Sequence, residues 1–293
     1  MAFRSNILVG YGKSHGSFGE LIQGRLPGGR DFLVTLPVDM WSICNLTAIE
    51  RQGPLVINCE YSKSRRVVEM LLEKLGVEEG FEVTISFSRN IPVGKGLSSS
   101  TADMLSTVRA LQEVFGFLLR EKTISEMFTK IEPHDGLMFK SCVVYDHRKG
   151  ELIKELLYIP EFSVVAVDLG GEVDTLTYNK DLQFTPDVMA EYDALLEAMA
   201  VDFERRDDQG IADKATRSAE LHLRARPDLH RRDILDHYRE LGAMGVVNTH
   251  SGTCLGLLYP RSTSTGELDA IAQRVKSRFG HSVFLTHTLR LLI

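Results

Sequence analysis

Cysteine is scarce in this chain: four residues in 293, Cys44, Cys59, Cys142 and Cys254. None forms a C-x-x-C pair, and no His/Cys cluster has zinc-ligand spacing, which excludes a zinc ribbon or a disulfide framework. Buried free thiols in a reducing compartment are the expectation. No run of about 18 apolar residues occurs, so no helix is expected to cross a membrane. Residues Met1 to Asn6 lead into no long apolar core, so a signal peptide is not expected either, and cytoplasmic placement follows. An excess of positive charge is missing too. The formal net charge is -6, which excludes the electrostatic footprint of a nucleic-acid partner. Repeats, low-complexity tracts and long linkers are absent. What is present is ordinary for a globular enzyme, 43% hydrophobic and 25% charged, with length enough for one large domain or two sharing a cleft.

The pattern along the chain is α+β. Phe32 to Val34 and Trp41 to Ile49 are rich in strand formers. From Phe81 to Phe87 apolar and polar residues alternate, as a half-buried strand requires. Val68, Leu71, Leu72 and Leu75 repeat at helical spacing over 65–75, with Gly76 as the stop. A long helix over about 101–117 carries Met104, Leu105, Val108 and Leu111 on one face. Another runs over about 124–131 and ends before Pro133. Strands are expected at Ser141 to Asp146 and Phe162 to Asp168. Beyond them come charged helices over 187–203 and 211–226, strands at 246–248 and 253–259, a helix over 268–279 and a strand at 282–286. That order suits a ferredoxin-like unit. The division is placed at 1–158 and 159–293. The basic run Arg224, Arg226, Arg231 and Arg232 is read as a solvated face. His222, His230 and His237 lack nearby acids and are read as surface or core residues.

Between the strand at 81–87 and the long helix lies the most informative segment, Pro92 to Ala102. Gly94 and Gly96 let backbone amides approach a ligand. Ser98, Ser99, Ser100 and Thr101 lead straight into the helix, whose first-turn amides have no intrahelical acceptor and can face phosphate oxygens. An N-capped helix after a turn is the plain alternative. Gly12-Lys13-Ser14 imitates the end of a Walker A motif, but Ile7 stands where its first glycine belongs.

The string P-x-x-x-G-L-S-S-S-T-A over 92–102 resembles the second motif of the GHMP kinases. His15 to Gly24, Pro37 to Asp39, Ile131 to Gly136 with Tyr145 to His147, and Thr249 to Gly256 are similar to segments of the L-threonine kinase branch. The resemblance implies a two-lobed α+β fold, with an N-terminal lobe like ribosomal S5 domain 2 and a C-terminal ferredoxin-like lobe. It implies ATP and Mg2+ as cofactors and a small hydroxy-amino acid as the partner, with L-threonine O-3-phosphate as the product. Homoserine, serine or a specialised-metabolite intermediate stands as the alternative acceptor. A nucleotide-binding regulator without turnover stands as the alternative of another class, and a homodimer is left open.

Residue by residue, Pro92, Gly94, Lys95, Gly96, Leu97, Ser98, Ser99, Ser100 and Thr101 are implied to hold the ATP phosphates. Lys95 could equally face solvent. Ser100 and Glu132 are implied as magnesium ligands, and Asp135 as the base or as the anchor of a substrate ammonium. Glu20 suits that ammonium as well. Gln23, Asp39, His134, Ser251, Gly252 and Thr253 complete the expected acceptor site, with Ser251 and Thr253 suited to a carboxylate. Asp103 is read either as an outer neighbour of magnesium or as an ordinary first-turn acid.

Overall fold

Two long antiparallel strands, β1 (Ile7–Arg25) and β2 (Asp31–Pro54), form the spine of the molecule. The computed structural model describes residues 6–171, 184–250 and 252–290. After β3 (Val56–Asn58), α1 (Ser62–Lys74) buries Val67, Val68, Leu71 and Leu72, while Leu75, expected on the same stripe, is exposed at the C-cap. Then come β4 (Glu79–Arg89), α2 (Ser99–Phe115) and α3 (Glu121–Thr129). Gly116, with φ of 67°, ends α2 in the left-handed region that glycine adopts without strain. Strands β5 (Val143–Asp146) and β6 (Glu151–Glu155) form a short hairpin against β2.

The second half begins with β7 (Phe162–Asp168). Helices α4 (Pro186–Arg205), α5 (Asp208–Ala225) and α6 (Leu229–His237) follow, then β8 (Gly245–Asn248), β9 (Cys254–Pro260), α7 (Thr265–Phe279) and β10 (Ser282–His287). The described strands join in one sheet ordered β10-β7-β9-β8-β1-β2-β4-β3. Its last four strands pair antiparallel in the order 4-1-3-2 of a ferredoxin-like unit. The two halves of the sheet meet at one residue pair, Glu20 opposite Asn248. Val38 also bridges Thr288 just beyond β10, so the sheet curls back on itself around Phe18, Phe162 and Val164.

Strand β1 carries five glycines between Gly10 and Gly24, which lowers its strand propensity. The structure supplies the reason. A Cβ on Gly12 would lie 1.7 Å from the Ser106 carbonyl oxygen, so α2 rests directly on the strand backbone. The Walker-like Gly12-Lys13-Ser14 is therefore a strand segment under a helix. All four cysteines are free and buried. Among the described residues no helix is long and apolar enough to cross a membrane.

Candidate active site

Three turns converge where the halves of the sheet meet. The loop after β4 contains Gly94 and Gly96, both at positive φ, and enters α2 through Ser98. The connection from β8 to β9 presses on that loop through Gly252. A Cβ on Gly252 would sit 2.2 Å from the Lys95 carbonyl oxygen, and one on Gly96 would sit 2.8 Å from the Gly252 Cα. The Thr253 amide donates to the Lys95 carbonyl at 3.2 Å. The third turn is the bulged middle of β1, where the Ser17 amide donates to the Leu97 carbonyl at 3.3 Å.

Ser98 takes φ 57° and ψ 30°, a left-handed conformation that costs an L-residue about 1–2 kcal/mol. Its hydroxyl does not cap α2. It donates to Asp135 Oδ2 and also meets the Ser17 hydroxyl. The first-turn amides of α2 therefore stay without a side-chain cap. Along the helix, the Ser100 hydroxyl donates to Glu132 Oε1 at 2.5 Å, while Lys63 Nζ pairs with Glu132 Oε2 at 2.5 Å. These contacts bring Ser98, Ser100, Glu132 and Asp135 together.

The Asp135 carboxyl is pushed up to about 7, first by burial and then by the charge of Glu20. The Ser98 hydrogen bond opposes that shift but does not cancel it. Glu20 is buried and is likewise raised to about 7, by burial, against the His250 amide and the charge of Arg231. Two carboxyl groups with near-neutral titration thus lie close enough for the charge of one to raise the other. His250 donates its backbone N–H to Glu20 Oε2 at 3.0 Å, and its Nδ1 lies 3.1 Å from the same oxygen. Burial, helped by Arg231, drives the imidazole down to about 3, so this contact is a hydrogen bond rather than an ion pair at neutral pH.

The raised Glu20 value makes a stability prediction. An acid whose folded value lies above its unfolded one favours folding below the unfolded value, near 4.5. That contribution is lost as pH rises through about 7. Glu20→Gln is expected to unfold later than the wild type at pH 8, by about 1–3 kcal/mol, with the gap closing by pH 5. Urea titrations at the two pH values measure it. An equal gap at both would remove the charge explanation.

Lys95 does not face open solvent. Its Nζ lies 2.9 Å from Asp168 Oδ2 and 2.7 Å from the Gly171 carbonyl. The Thr253 hydroxyl donates to Asp168 Oδ1 at 3.0 Å, so Thr253 is taken up on that side. Burial works to raise Asp168, but the Lys95, Gly170 and Thr253 hydrogen bonds outweigh it and hold the carboxyl below the usual range. Ser251 lies outside the described residues.

Other expected residues stand elsewhere. His134 is buried in the core, with Nε2 near the Ser125 carbonyl at 3.2 Å and the Tyr145 hydroxyl at 3.2 Å. Its ring packs against Phe128 and Tyr145. Asp39 lies on a separate groove of about 420 Å3 with Pro92, Phe284 and Thr286, and accepts from Trp41 Nε1 at 2.5 Å. Gln23 lines a small cavity behind His250. Asp103 is buried between Ser42 and Arg89, at 2.6 and 2.5 Å, which makes it a core ion pair.

The basic run needs one correction. Arg231 is 5% exposed rather than part of a solvated face. Its guanidinium donates to the Asn248 side chain and to the Gly252 carbonyl, clamping the glycine turn from below. Only the fold brings α6 under that turn, and nothing in the local charge pattern separates Arg231 from Arg232, which is half exposed.

A model described as "GHMP kinases N terminal domain" matches residues 62–139. The chain is 29% identical over 250 residues to an L-threonine kinase of Salmonella typhimurium, covering 84% of this chain and 81% of that one. It is 28% identical to an L-threonine kinase of Citrobacter freundii, covering 84% and 85%. In fold it is similar to homoserine kinase from Cytophaga hutchinsonii, with TM-score 0.73, 13% identity and coverage of 99% and 96%. A mevalonate kinase from Methanococcus jannaschii aligns with TM-score 0.68 and 14% identity, over 99% and 100% of the two chains.

Proposed function

We propose, for a chain that belongs to the GHMP kinases and is a small-molecule phosphotransferase, that it moves the γ-phosphoryl group of ATP onto the side-chain hydroxyl of L-threonine. The observation that carries the reading is the cluster at the start of α2. Ser98 holds Asp135, and Ser100 meets Glu132 beside the amides of the phosphate loop. The L-threonine kinase relatives support the choice of acceptor.

The residues fit magnesium. Glu132 and Ser100 offer hard oxygen donors, and Mg2+ keeps waters and phosphate oxygens as its remaining ligands. Among the described residues no three His, Cys, Asp or Glu side chains gather into a cage, which agrees with a metal shared with the nucleotide. When bound, the ion neutralises charge on the phosphates.

The rest is work for the chain's own groups. Loop amides and the N-terminus of α2 hold the phosphates. Lys95, anchored on Asp168, fixes the loop against the second half of the sheet. Glu20, opposite Asp135, receives the acceptor's ammonium. Asp135 takes the hydroxyl proton as the new O–P bond forms, the bond to the β-phosphate oxygen breaks and ADP departs. A carboxylate titrating near 7 is matched to that task at neutral pH.

The test is ATP and magnesium with L-threonine, L-serine, L-homoserine and non-amino alcohols, following ADP release and identifying products by phosphorus NMR. L-threonine O-3-phosphate is the expected main product. Faster transfer to an alcohol lacking the amino group would remove the amino-acid assignment.

A further inference from the structure

We propose that Arg231 is a positioning residue for phosphoryl transfer, holding Glu20 and the loop after β4 in register through the connection from β8 to β9. The inference rests on the reading above, in which Glu20 serves the acceptor and the loop serves ATP. The connection touches both. At one end Asn248 pairs with Glu20 where the halves of the sheet meet, and the His250 amide donates to Glu20 Oε2 at 3.0 Å. A Cβ on Gly19 would lie 2.4 Å from the Asn248 carbonyl oxygen, so no side chain separates this end from the bulge of β1. At the other end Gly252 lies directly on Lys95 and Gly96, and the Thr253 amide donates to the Lys95 carbonyl at 3.2 Å.

One guanidinium grips both ends. Arg231 Nη1 donates to the Asn248 side chain and lies 3.5 Å from the Thr249 carbonyl, while Nη2 donates to the Gly252 carbonyl. Nε faces Asp228 at 3.4 Å. Asp228 is the N-cap of α6 and accepts from the His230 and Arg231 amides, so the helix start holds its own arginine in place. All three nitrogens are committed within the protein, and the side chain is 5% exposed. Arg231 therefore acts on the connection and not on a substrate.

The chemistry makes this placement matter. Transfer needs the acceptor hydroxyl in line with the γ-phosphate, and a misplacement of about 1 Å costs about 10²-fold. A planar fork that bonds Asn248 and Gly252 together fixes the distance between the two ends of the connection. Lysine brings the same charge on a compact ammonium, without the fork. Its charge would still oppose burial at Glu20, as that of Arg231 does. Arg231→Lys thus separates geometry from charge.

Steady-state kinetics on the full chain test this, with rates read per folded molecule from a thermal melt of each variant. Arg231→Lys is expected to lower kcat about 10–10²-fold at saturating ATP and L-threonine. Asn248→Ala removes one anchor and should cost about three- to tenfold. The double variant should be no slower than Arg231→Lys alone, because both break one clamp. Arg232→Lys, at the half-exposed neighbour, should match the wild type. The same losses should appear with 1-amino-2-propanol, the acceptor without its carboxylate. A kcat within about twofold of the wild type in both Arg231→Lys and Asn248→Ala overturns the proposal and leaves Arg231 a stabilising residue. Asn248→Ala decides alone if Arg231→Lys does not fold. A loss confined to L-threonine and to its KM also overturns it, because Arg231 would then be a substrate contact. A wild type that prefers an alcohol without an amino group removes the amino-acid reading instead, and the same variants assayed on that alcohol still decide on Arg231.

Discussion

Asp135→Asn is expected to lower kcat by about 10²–10⁴-fold, the range set by loss of a positioned general base. The amide keeps the size of the carboxyl and can still accept from Ser98, so the fold and the loop should survive. What disappears is the proton acceptor. The Asp135 value near 7 adds a second observable. Kinetic kcat/KM reports groups of the free enzyme. In the wild type it should rise with pH as Asp135 loses its proton and level off above about 7. The variant should lack that limb. Binding predicts a different pattern: if Asp135 only anchors the substrate ammonium, the variant raises the acceptor KM and leaves kcat near the wild-type level. A full pH profile of both proteins, with KM and kcat measured separately, decides between the two. A retained limb in Asp135→Asn would move the titration to Glu20, the other carboxyl raised to about 7.

What could be read in advance follows a physical division. Helix α2 and strands β4 and β7 were legible because apolar spacing sets a buried face, and burial is what holds those elements. The ferredoxin-like order of β7 to β10 was legible for the same reason. Strand β1 was not, because its glycines lower strand propensity and are explained only by long-range contacts, Gly10 and Gly12 under α2, Gly19 against Asn248 and Gly24 against Tyr192. The loop after β4 announced itself through glycines and serines that answer to local backbone needs. Ser98 at positive φ, with its hydroxyl turned to Asp135, could not be foreseen, since serine before a helix reads as a cap. His134 and Asp135 are neighbours in the chain, yet one ring fills the core and one carboxyl turns to Ser98 at the start of α2. Arg231 shows the same limit from the other side. A buried guanidinium under a glycine turn is a long-range arrangement, and the run of arginines around it carries no sign of which one turns inward.

Glu132→Gln carries the second large expectation, a fall in turnover of about 10²-fold, from the scale of losing one preorganised charge at a phosphoryl-transfer site. Ser100→Ala should cost at least about tenfold. The magnesium reading makes the deficit conditional. It should be deepest at limiting magnesium and shrink when the metal is raised, because the amide is the weaker ligand and mass action can restore part of the occupancy. Lys63 complicates the reading, since it pairs with Glu132 at 2.5 Å. A carboxylate that only holds Lys63 in place would give the same loss in turnover. Lys63→Met separates the two. If Glu132 works through Lys63 alone, the single and double variants should share one rate and one metal dependence. If Glu132 holds the metal, only the variants lacking it should shift the magnesium titration, and Lys63→Met should follow the wild-type curve. A magnesium response of Glu132→Gln that overlays the wild type would remove Glu132 from the metal site and leave Ser100 without its partner in that role.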